Sequence, residues 1–361
     1  MGRPFELSDP VRARQLADAI TILAPPTSVK IVHVCGTHEM AITQSGLRRF
    51  LPSTVQVLEG PGCPVCVTST ADIDAAIQIA EAGAVVCTFG DMTRVPGTRL
   101  TLEGARSKGC DIRVVLSSAD AVRIARETAQ DVMFFAVGFE TTAPMTAAVL
   151  LDDPPPNFSV LVAHKKIPEA MAVLLDLPGT AIDGYLAPGH VSTIIGLEPY
   201  VRDLGRFGIP VVIGGFEPLD ILYAIALILR QLHDGRGIVE NGFPRAVAPE
   251  GNSAARALIN AVFESTAVAW RGIGEIPDSG YRLREPFAQF DARARFDVRG
   301  EVGEEEIPGC RCADVLTARA TPAECPLFGR RCTPLSPVGP CMVGSEGACS
   351  IWFRYGGREL P

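Results

Sequence analysis

Continuous apolar runs dominate the first two thirds of the chain. Seven of these runs are short, rich in valine and isoleucine, and lack the apolar–polar alternation of a strand with one exposed face. The pattern therefore predicts strands that are buried on both faces. The predicted strands are 29–34, 55–60, 84–90, 113–117, 131–137, 158–163 and 209–215.

Helix-like segments separate these runs. In segment 70–82, Ile73, Ile77 and Ala80 fall on one face, and acidic residues occupy the first turn. Alternating strands and helices predict parallel sheets joined by right-handed crossovers. We therefore expect an α/β protein with doubly wound parallel sheets. The other predicted helices are 118–129, 141–151, 217–232 and 250–265.

The length of 361 residues predicts two or three domains, since a domain averages about 150 residues, and the pattern along the chain favours three units. The strong run at 131–137 restarts the strand pattern, which places a boundary before it. After about residue 240 the strand pattern gives way to stretches punctuated by glycine, proline and cysteine. The expected units are an α/β domain over 1–128, a second α/β domain over 129–240, and a mostly helical or irregular Cys-rich domain over 241–361.

Composition argues against several classes of protein. The chain has 33 Lys and Arg against 41 Asp and Glu, a net charge of −8, whereas nucleic-acid binders need a basic face. The apolar run 219–229 is shorter than the roughly 20 residues of a membrane span, and 133–151 contains Glu140 and Pro144. The N-terminal sequence lacks a signal-peptide pattern. We expect a cytoplasmic protein without nucleic-acid or membrane partners.

The 11 cysteines are unevenly distributed. None lies between residues 111 and 309. A reducing cytosol disfavours structural disulfides, so clustered cysteines there indicate metal or redox chemistry. The cysteines are at positions 35, 63, 66, 87 and 110, and at 310, 312, 325, 332, 341 and 349.

Cys35 directly follows the first predicted strand, in the sequence Cys-Gly-Thr-His-Glu. Ligands of open α/β sheets bind beyond the carboxyl ends of the strands, so Cys35 is expected to face a crevice. His38, or a nearby helix N-terminus, is expected to lower the pKa of Cys35 and hold it as a thiolate. The alternative is a buried small residue that ends a strand. His38-Glu39 begins like a zinc-protease HExxH motif, but the second histidine is absent.

A CxxC motif, Cys63-Pro-Val-Cys66, lies between the second predicted strand and helix 70–82. This spacing permits either a disulfide or chelation of one metal. The sequence has no second CxxC, which argues against a four-cysteine zinc ribbon. Cys35, Cys63 and Cys66 all follow predicted strands, so one shared three-thiol site is geometrically reasonable.

The six C-terminal cysteines match neither zinc-finger spacing nor the bacterial ferredoxin run. Six thiols can supply four ligands to a [4Fe–4S] cluster and leave two for redox exchange. A zinc site and scattered free cysteines are the alternatives. The six are Cys310, Cys312, Cys325, Cys332, Cys341 and Cys349.

Other polar residues also follow predicted strands. Glu140, Lys165, His190 and Glu217 occupy such positions. Each alone is explained by a loop or cap role, but their recurrence favours a shared cleft. His38, Glu140 and Lys165 are candidates for orienting or protonating intermediates. Sequence motifs for P-loop, dinucleotide-binding and α/β-hydrolase sites are absent from the sequence.

Several long motifs together resemble the HypD family of hydrogenase maturation proteins. The resemblance spans nearly the whole chain, with the motifs in the family's order. They are CGTHEMAI at 35–42, EGPGCPVC at 59–66, GFETT at 138–142, GGFEPLDIL at 214–222 and CPLFGRRCTPLSPVGPCMVGSEGACS at 325–350.

The resemblance implies a scaffold that assembles the Fe(CN)₂CO unit of [NiFe] hydrogenases with the small chaperone HypC. Cyanide would arrive as a thiocyanate on HypE, made by HypF and HypE from carbamoyl phosphate and ATP. The implied fold is two α/β domains and a third that carries a [4Fe–4S] cluster. By the same resemblance, Cys35 is the expected iron ligand, and Cys63 and Cys66 are redox-active or iron-linked. Four of the six C-terminal cysteines would bind the cluster.

Two other functions remain open at this stage. One is a thiol–disulfide oxidoreductase that uses Cys63 and Cys66, with the cluster as its electron source. The other is a docking protein with zinc in its C-terminal region.

Overall fold

The computed structural model describes residues 9–298 and 307–356. Its strands form two parallel sheets and one antiparallel hairpin. The strands are β1 (Val29–His33), β2 (Val55–Glu59), β3 (Val85–Thr88), β4 (Ile112–Val114), β5 (Val132–Gly138), β6 (Phe158–His164), β7 (Gly184–Pro188), β8 (Val211–Gly214), β9 (Val239–Asn241), β10 (Phe263–Trp270) and β11 (Gly274–Leu283).

Helices connect and cover the strands. In the described segments, no helix combines the length and apolar character needed to cross a membrane. The helices are α1 (Pro10–Leu23), α2 (Gly36–Gln44), α3 (Pro64–Val67), α4 (Thr70–Glu81), α5 (Leu102–Ser107), α6 (Ser118–Glu127), α7 (Ala143–Leu151), α8 (Ile167–Asp176), α9 (Gly189–Ile195), α10 (Glu198–Leu204), α11 (Pro218–His233), α12 (Ser253–Val262), α13 (Ala292–Arg295), α14 (Cys312–Leu316), α15 (Pro340–Val343) and α16 (Ala348–Tyr355). Short 3₁₀ helices span Leu47–Phe50, Gly90–Arg94, Gly205–Phe207, Glu285–Phe290 and Pro322–Glu324.

The first sheet has the strand order β2–β1–β7–β8–β9, and all its pairs are parallel. The residues of β7 and β8 are buried throughout, as expected for strands covered on both faces. Helices α1 and α11 pack together against one face, where Ile20 and Ile225 join the apolar core.

The second sheet has the order β4–β3–β5–β6 and is also parallel. Every residue of β5, its long central strand, is buried. Apolar residues of α4 and α5 contribute to the core on one face, and those of α6, α7 and α12 to the core on the other. The two sheets confirm the predicted α/β class, and all seven predicted strands are present with shifted ends.

The strands are not grouped in the sequential order that the expected domains require. β3 and β4 precede residue 128, and they share a sheet with β5 and β6, which follow it. β1 pairs with β7, so Ile31 lies opposite Gly184. The expected boundary at 128/129 therefore falls within the second sheet, and residues 85–164 are inserted between the first two strands and the last three strands of the first sheet.

The region after residue 240 was expected to be mostly helical or irregular, but it also contains a strand hairpin. The predicted helix 250–265 ends at Val262, and an antiparallel hairpin, β10–β11, follows it. The β-branched and aromatic residues of this segment favour a strand once Phe263 packs against the second sheet. Trp270, at the end of β10, is buried in one core with Cys63 and Cys341. The Cys-rich region therefore packs against the CxxC motif.

Candidate thiol site

The two N-terminal cysteine motifs are interlocked through their backbones. Cys35 is the residue before α2, and Gly62 lies against it. A Cβ on Gly62 would overlap the nitrogen of Cys35 and the carbonyl of Val34. Only glycine, which has no Cβ, permits this approach. Gly62 therefore holds its loop against Cys35, and Cys63 is the next residue of that loop.

Cys63 and Cys66 are joined by a disulfide, and both are fully buried. Pro64 begins α3, and the Cys66 N–H donates to Cys63 Sγ at 3.2 Å. The sulfurs face the C-terminal region, because Cys66 Sγ is 3.9 Å from the Pro340 carbonyl and Gly344 packs beside Cys63 Sγ. The expected three-thiol site of Cys35, Cys63 and Cys66 therefore has one free thiol in this state, because Cys63 and Cys66 are bonded to each other.

The loop 344–347 packs against the residues that follow Cys35, because a Cβ on Gly36 would overlap Glu346. Its Ser345 N–H and Oγ donate to Asp91 Oδ2 at 2.9 and 3.1 Å, and Thr37 Oγ1 donates to Glu346 at 3.4 Å. Burial raises the pKa of Glu346. Asp91 and Glu346 were not predicted as site residues, because they are distant in sequence from Cys35 and belong to no pattern that indicates that Asp91 holds the loop of Glu346.

The expectation that Cys35 is held as a thiolate is contradicted. Burial raises the pKa of Cys35 to about 11, and the nearby Glu346 raises it further. The N–H groups of His38 and Thr37 act in the opposite direction but do not prevail. Desolvation exceeds the effect of the helix terminus, so Cys35 is a thiol at neutral pH in the absence of a metal.

His38 does not supply the positive charge that the sequence argument assigned to it. Burial lowers the pKa of His38 to about 3, with His33 as a further cause, so its ring is neutral. Its Nε2 donates to the Gly215 carbonyl at 3.0 Å, and the ring stacks on Phe216. His190 stacks on Phe216 as well, at 3.7 Å. The sequence motifs at 35–42 and 214–222 therefore meet through aromatic rings.

Glu140 and Lys165 are both buried, and each hydrogen-bonds to a different part of the backbone. Glu140 accepts from the Ile167 N–H at 3.0 Å, and burial followed by the charge of Glu169 raises its pKa to about 8. Lys165 Nζ donates to the Ala269 carbonyl at 2.6 Å, which fastens the hairpin to the second sheet. Each of these side chains therefore makes a structural hydrogen bond, and Lys165 also lies 5.6 Å from the ring of Trp270.

Six cysteines of the C-terminal region line one small cavity. They come from α14, α15, α16 and the loops between them. Cys312 Sγ and Cys341 Sγ are 2.6 Å apart, and Cys332 Sγ accepts from the Val338 N–H at 3.3 Å. The cavity is lined by Cys310, Cys312, Cys325, Cys332, Cys341 and Cys349, with Phe328 and Met342.

This donor set fits an iron–sulfur cluster in chemistry and number. Thiolates are the usual ligands of [4Fe–4S] clusters, which need four of them. Burial and the neighbouring thiols raise the pKa of Cys349, so a bound cation would relieve the repulsion between thiolates. Within residues 9–298 and 307–356, no three His, Cys, Asp or Glu side chains already stand in a metal-coordinating arrangement. The thiols therefore would have to rearrange around a cluster.

Glu39 connects the two thiol regions. This buried carboxylate accepts from Arg48 at 2.7 Å, from Thr43 at 2.6 Å and from the Trp352 indole at 2.7 Å. Trp352 lies on α16, one turn after Cys349, whereas Glu39 lies on α2, one turn after Cys35. Arg48 and then His33 lower the pKa of Glu39 and keep it charged, despite the opposing effect of burial. The network holds α16 against α2.

Comparisons with known proteins show the family of the chain. The family model HypD, described as "Hydrogenase formation hypA family", matches residues 11–356. The chain is 43% identical to the hydrogenase maturation factor HypD of Azotobacter vinelandii, over 97% of this chain and 96% of the relative. It is 43% identical to the factor of the same name from Cupriavidus necator, over 99% and 97%. It is 42% identical to that of Rhodobacter capsulatus, over 98% of each. The chain belongs to the HypD family of hydrogenase maturation factors.

Proposed function

We propose that the protein is a scaffold and redox protein for assembly of the Fe(CN)₂CO unit of [NiFe] hydrogenases. It would act with a HypC-type small chaperone and receive cyanide from HypE. One observation carries the proposal: Cys35 lies beside the Cys63–Cys66 disulfide, whose sulfurs face the segment that lines the six-cysteine cavity.

Cys35 is the proposed ligand of the incoming iron. Iron that binds CO and cyanide is soft, so a thiolate suits it better than a carboxylate. The raised pKa of Cys35 means that iron must displace a proton to bind, which makes binding dependent on pH. Glu346, beside Cys35, is an acceptor for that proton, because burial raises its own pKa.

The Cys63–Cys66 pair would supply the electrons for cyanide delivery. Cleavage of the S–CN bond of a thiocyanate to a thiol and cyanide consumes two electrons and one proton. Oxidation of the Cys63/Cys66 dithiol to its disulfide releases two electrons and two protons. One proton goes to the departing thiol and the other to solvent, and the cyanide goes to the iron. The disulfide present in the structure corresponds to the spent state of this cycle.

Four of the six C-terminal cysteines would hold a [4Fe–4S] cluster. When bound, such a cluster supplies electrons one at a time at a place next to the disulfide. The protein's own contribution is to exclude water from this route, since Cys63, Cys66 and Cys341 are buried in one apolar core.

Infrared spectra of anaerobically purified protein test the proposal. The protein is co-expressed with its maturation partners, and CO and cyanide bands are recorded together with iron content. We expect the bands in the native protein and their loss in Cys35→Ser and in the double variant Cys63→Ser with Cys66→Ser. Cys110→Ser is the matched control, because Cys110 lies outside the thiol site, and it should keep the bands. Bands that persist in Cys35→Ser would exclude Cys35 as the iron ligand.

A thiol–disulfide oxidoreductase is the second candidate, and the Cys63–Cys66 disulfide favours it. The two functions differ in the role of Cys35. If the protein is an oxidoreductase alone, Cys35→Ser retains full hydrogenase maturation and the double variant of Cys63 and Cys66 loses it. The scaffold function requires that both variants fail.

A further inference from the structure

We propose that the outer wall of the six-cysteine cavity, residues 328–336, is the docking face for an acidic electron-carrier protein. This inference rests on the proposed function, because it supplies electrons to the C-terminal cysteines. It names a surface and a partner chemistry that the proposed function leaves open.

The outer wall begins with a tight turn that presents two arginines. The Gly329 N–H donates to the Cys332 carbonyl at 3.1 Å, and the Cys332 N–H donates to Leu327 at 2.9 Å. Arg330 and Arg331 occupy the tip of this turn and are exposed. Neither arginine forms an ion pair with any residue of the described segments. Since Arg331 is bonded to Cys332, two positive charges without an ion-pair partner in residues 9–298 and 307–356 stand next to a thiol of the cavity.

An exposed apolar residue follows on the same wall. Thr333 and Ser336 close a second turn through hydrogen bonds of 3.2 and 3.0 Å between their backbones. Leu335, at its tip, is 98% exposed. Arg94 donates to the Pro334 carbonyl at 3.3 Å and so holds this turn against the 3₁₀ helix Gly90–Arg94, which follows β3 of the second sheet. An apolar side chain held outward in this way is typical of a contact surface.

The edge of the outer wall adds an aromatic residue and a third cation. Phe328 lines the cavity and makes an edge-to-face contact with Phe353 at 6.3 Å. Phe353 is 38% exposed, and its neighbour Arg354 is exposed as well. The surface thus combines an apolar centre with a positive rim, the composition of many transient interfaces.

Charge complementarity identifies the partner. The whole chain carries a net charge of −8, yet the outer wall 328–336 contains two arginines and no Asp or Glu, and Arg354 lies at its edge. An acidic partner would be attracted by this face and repelled by the remainder of the molecule. Redox partners use small interfaces of this kind, with association steered by charge.

Direct binding tests the inference independently of the cluster. The probe is an oxidised, acidic [2Fe–2S] ferredoxin, with surface plasmon resonance on the anaerobic full-length protein at 50 and 500 mM ionic strength. In the variant Arg330→Glu with Arg331→Glu, we expect the association rate constant at 50 mM to be at least tenfold lower than that of the native protein. At 500 mM the two rate constants should differ by less than twofold, because salt screens the charges. The matched control is Arg123→Glu with Arg126→Glu, two exposed arginines on α6 with the same change of charge. It should bind as the native protein does.

Several results would overturn the inference. If the Arg330/Arg331 variant binds the ferredoxin at 50 mM with an association rate constant within twofold of the native value, this face is not the docking site. An equal loss in the control variant shows that only net charge matters. Tighter binding of basic cytochrome c than of the ferredoxin shows that the partner has the opposite charge. Failure of the proposed function gives a different result. The protein then lacks iron–sulfur absorbance near 400 nm, and its ferredoxin binding is still weakened by the Arg330/Arg331 substitutions.

Discussion

Replacement of Gly62 by alanine tests whether the contact between the two N-terminal cysteine motifs is required. The added Cβ would lie well inside the 3.0 Å limit that real Cβ contacts respect, against the backbone of Val34 and Cys35. Backbone cannot rotate away as a side chain can, so the loop must move by roughly 1 Å. We expect a loss of about 3 kcal/mol in the free energy of unfolding, the upper end of the range for overpacking.

The assay is thermal unfolding followed by circular dichroism under anaerobic conditions. A loss of about 3 kcal/mol corresponds to a Tm roughly 4 °C lower, because the entropy of unfolding increases with chain length. Gly205→Ala is the matched control, because Gly205 has helical backbone angles (φ −56°, ψ −30°) and a Cβ there meets no atom within 4 Å. The control should be neutral or stabilised by about 0.4–1 kcal/mol. A Gly62→Ala protein with the Tm of the control would refute the argument that this backbone contact fixes the loop.

Three further predictions concern buried polar groups. Trp352→Phe removes the indole donor to Glu39 but keeps an aromatic ring. It should lower the free energy of unfolding, measured in urea, by about 1.5–3 kcal/mol. A loss under about 0.5 kcal/mol would mean that this hydrogen bond is dispensable. Burial raises the pKa of Glu140 from 4.5 to about 8, so the folded protein is favoured below pH 4.5 and loses that stabilisation as the pH rises to about 8. Glu140→Gln should remove this decline from a plot of Tm against pH, and an unchanged slope would contradict the buried carboxyl. Asp91→Asn weakens the hydrogen bonds that hold the loop 344–347 beside Cys35. Iodoacetamide should therefore alkylate Cys35 several-fold faster, as measured by peptide mass spectrometry. An unchanged rate would show that this loop does not control access of reagents to Cys35.

The strands could be predicted because their burial on two faces leaves continuous apolar runs. The run at 131–137 corresponds to β5, whose seven residues are all buried. β7 was missed, because Gly184 and Pro188 are its end residues and leave a run of three apolar residues between them. The pairing of strands could not be predicted, since nothing in the pattern of β1 distinguishes β7 from β3 as its neighbour. This is why the expected division at residue 128 was wrong.

The candidate site was predictable where its chemistry is carried by cysteine. The spacing of Cys63 and Cys66 allowed a disulfide, and the density of cysteines after residue 309 indicated that they cluster. The charge state of Cys35 was predicted wrongly, because sequence shows a helix terminus but not the desolvation that opposes it. The contacts of Asp91 and Trp352 were missed, since each joins residues more than 250 positions apart.

The insertion of one sheet within the chain of another determines when the cysteines gain protection during synthesis. β1 sits between β2 and β7, and its partner Gly184 lies 153 residues after Ile31. The second sheet uses strands from residues 85–164 alone, so it can complete first as the chain leaves the ribosome. Until β7 has emerged, the nascent chain presents Cys35, Cys63 and Cys66 on an unfinished sheet. These three thiols therefore remain open to oxidants and metal ions for the whole time that the ribosome needs to reach residue 184.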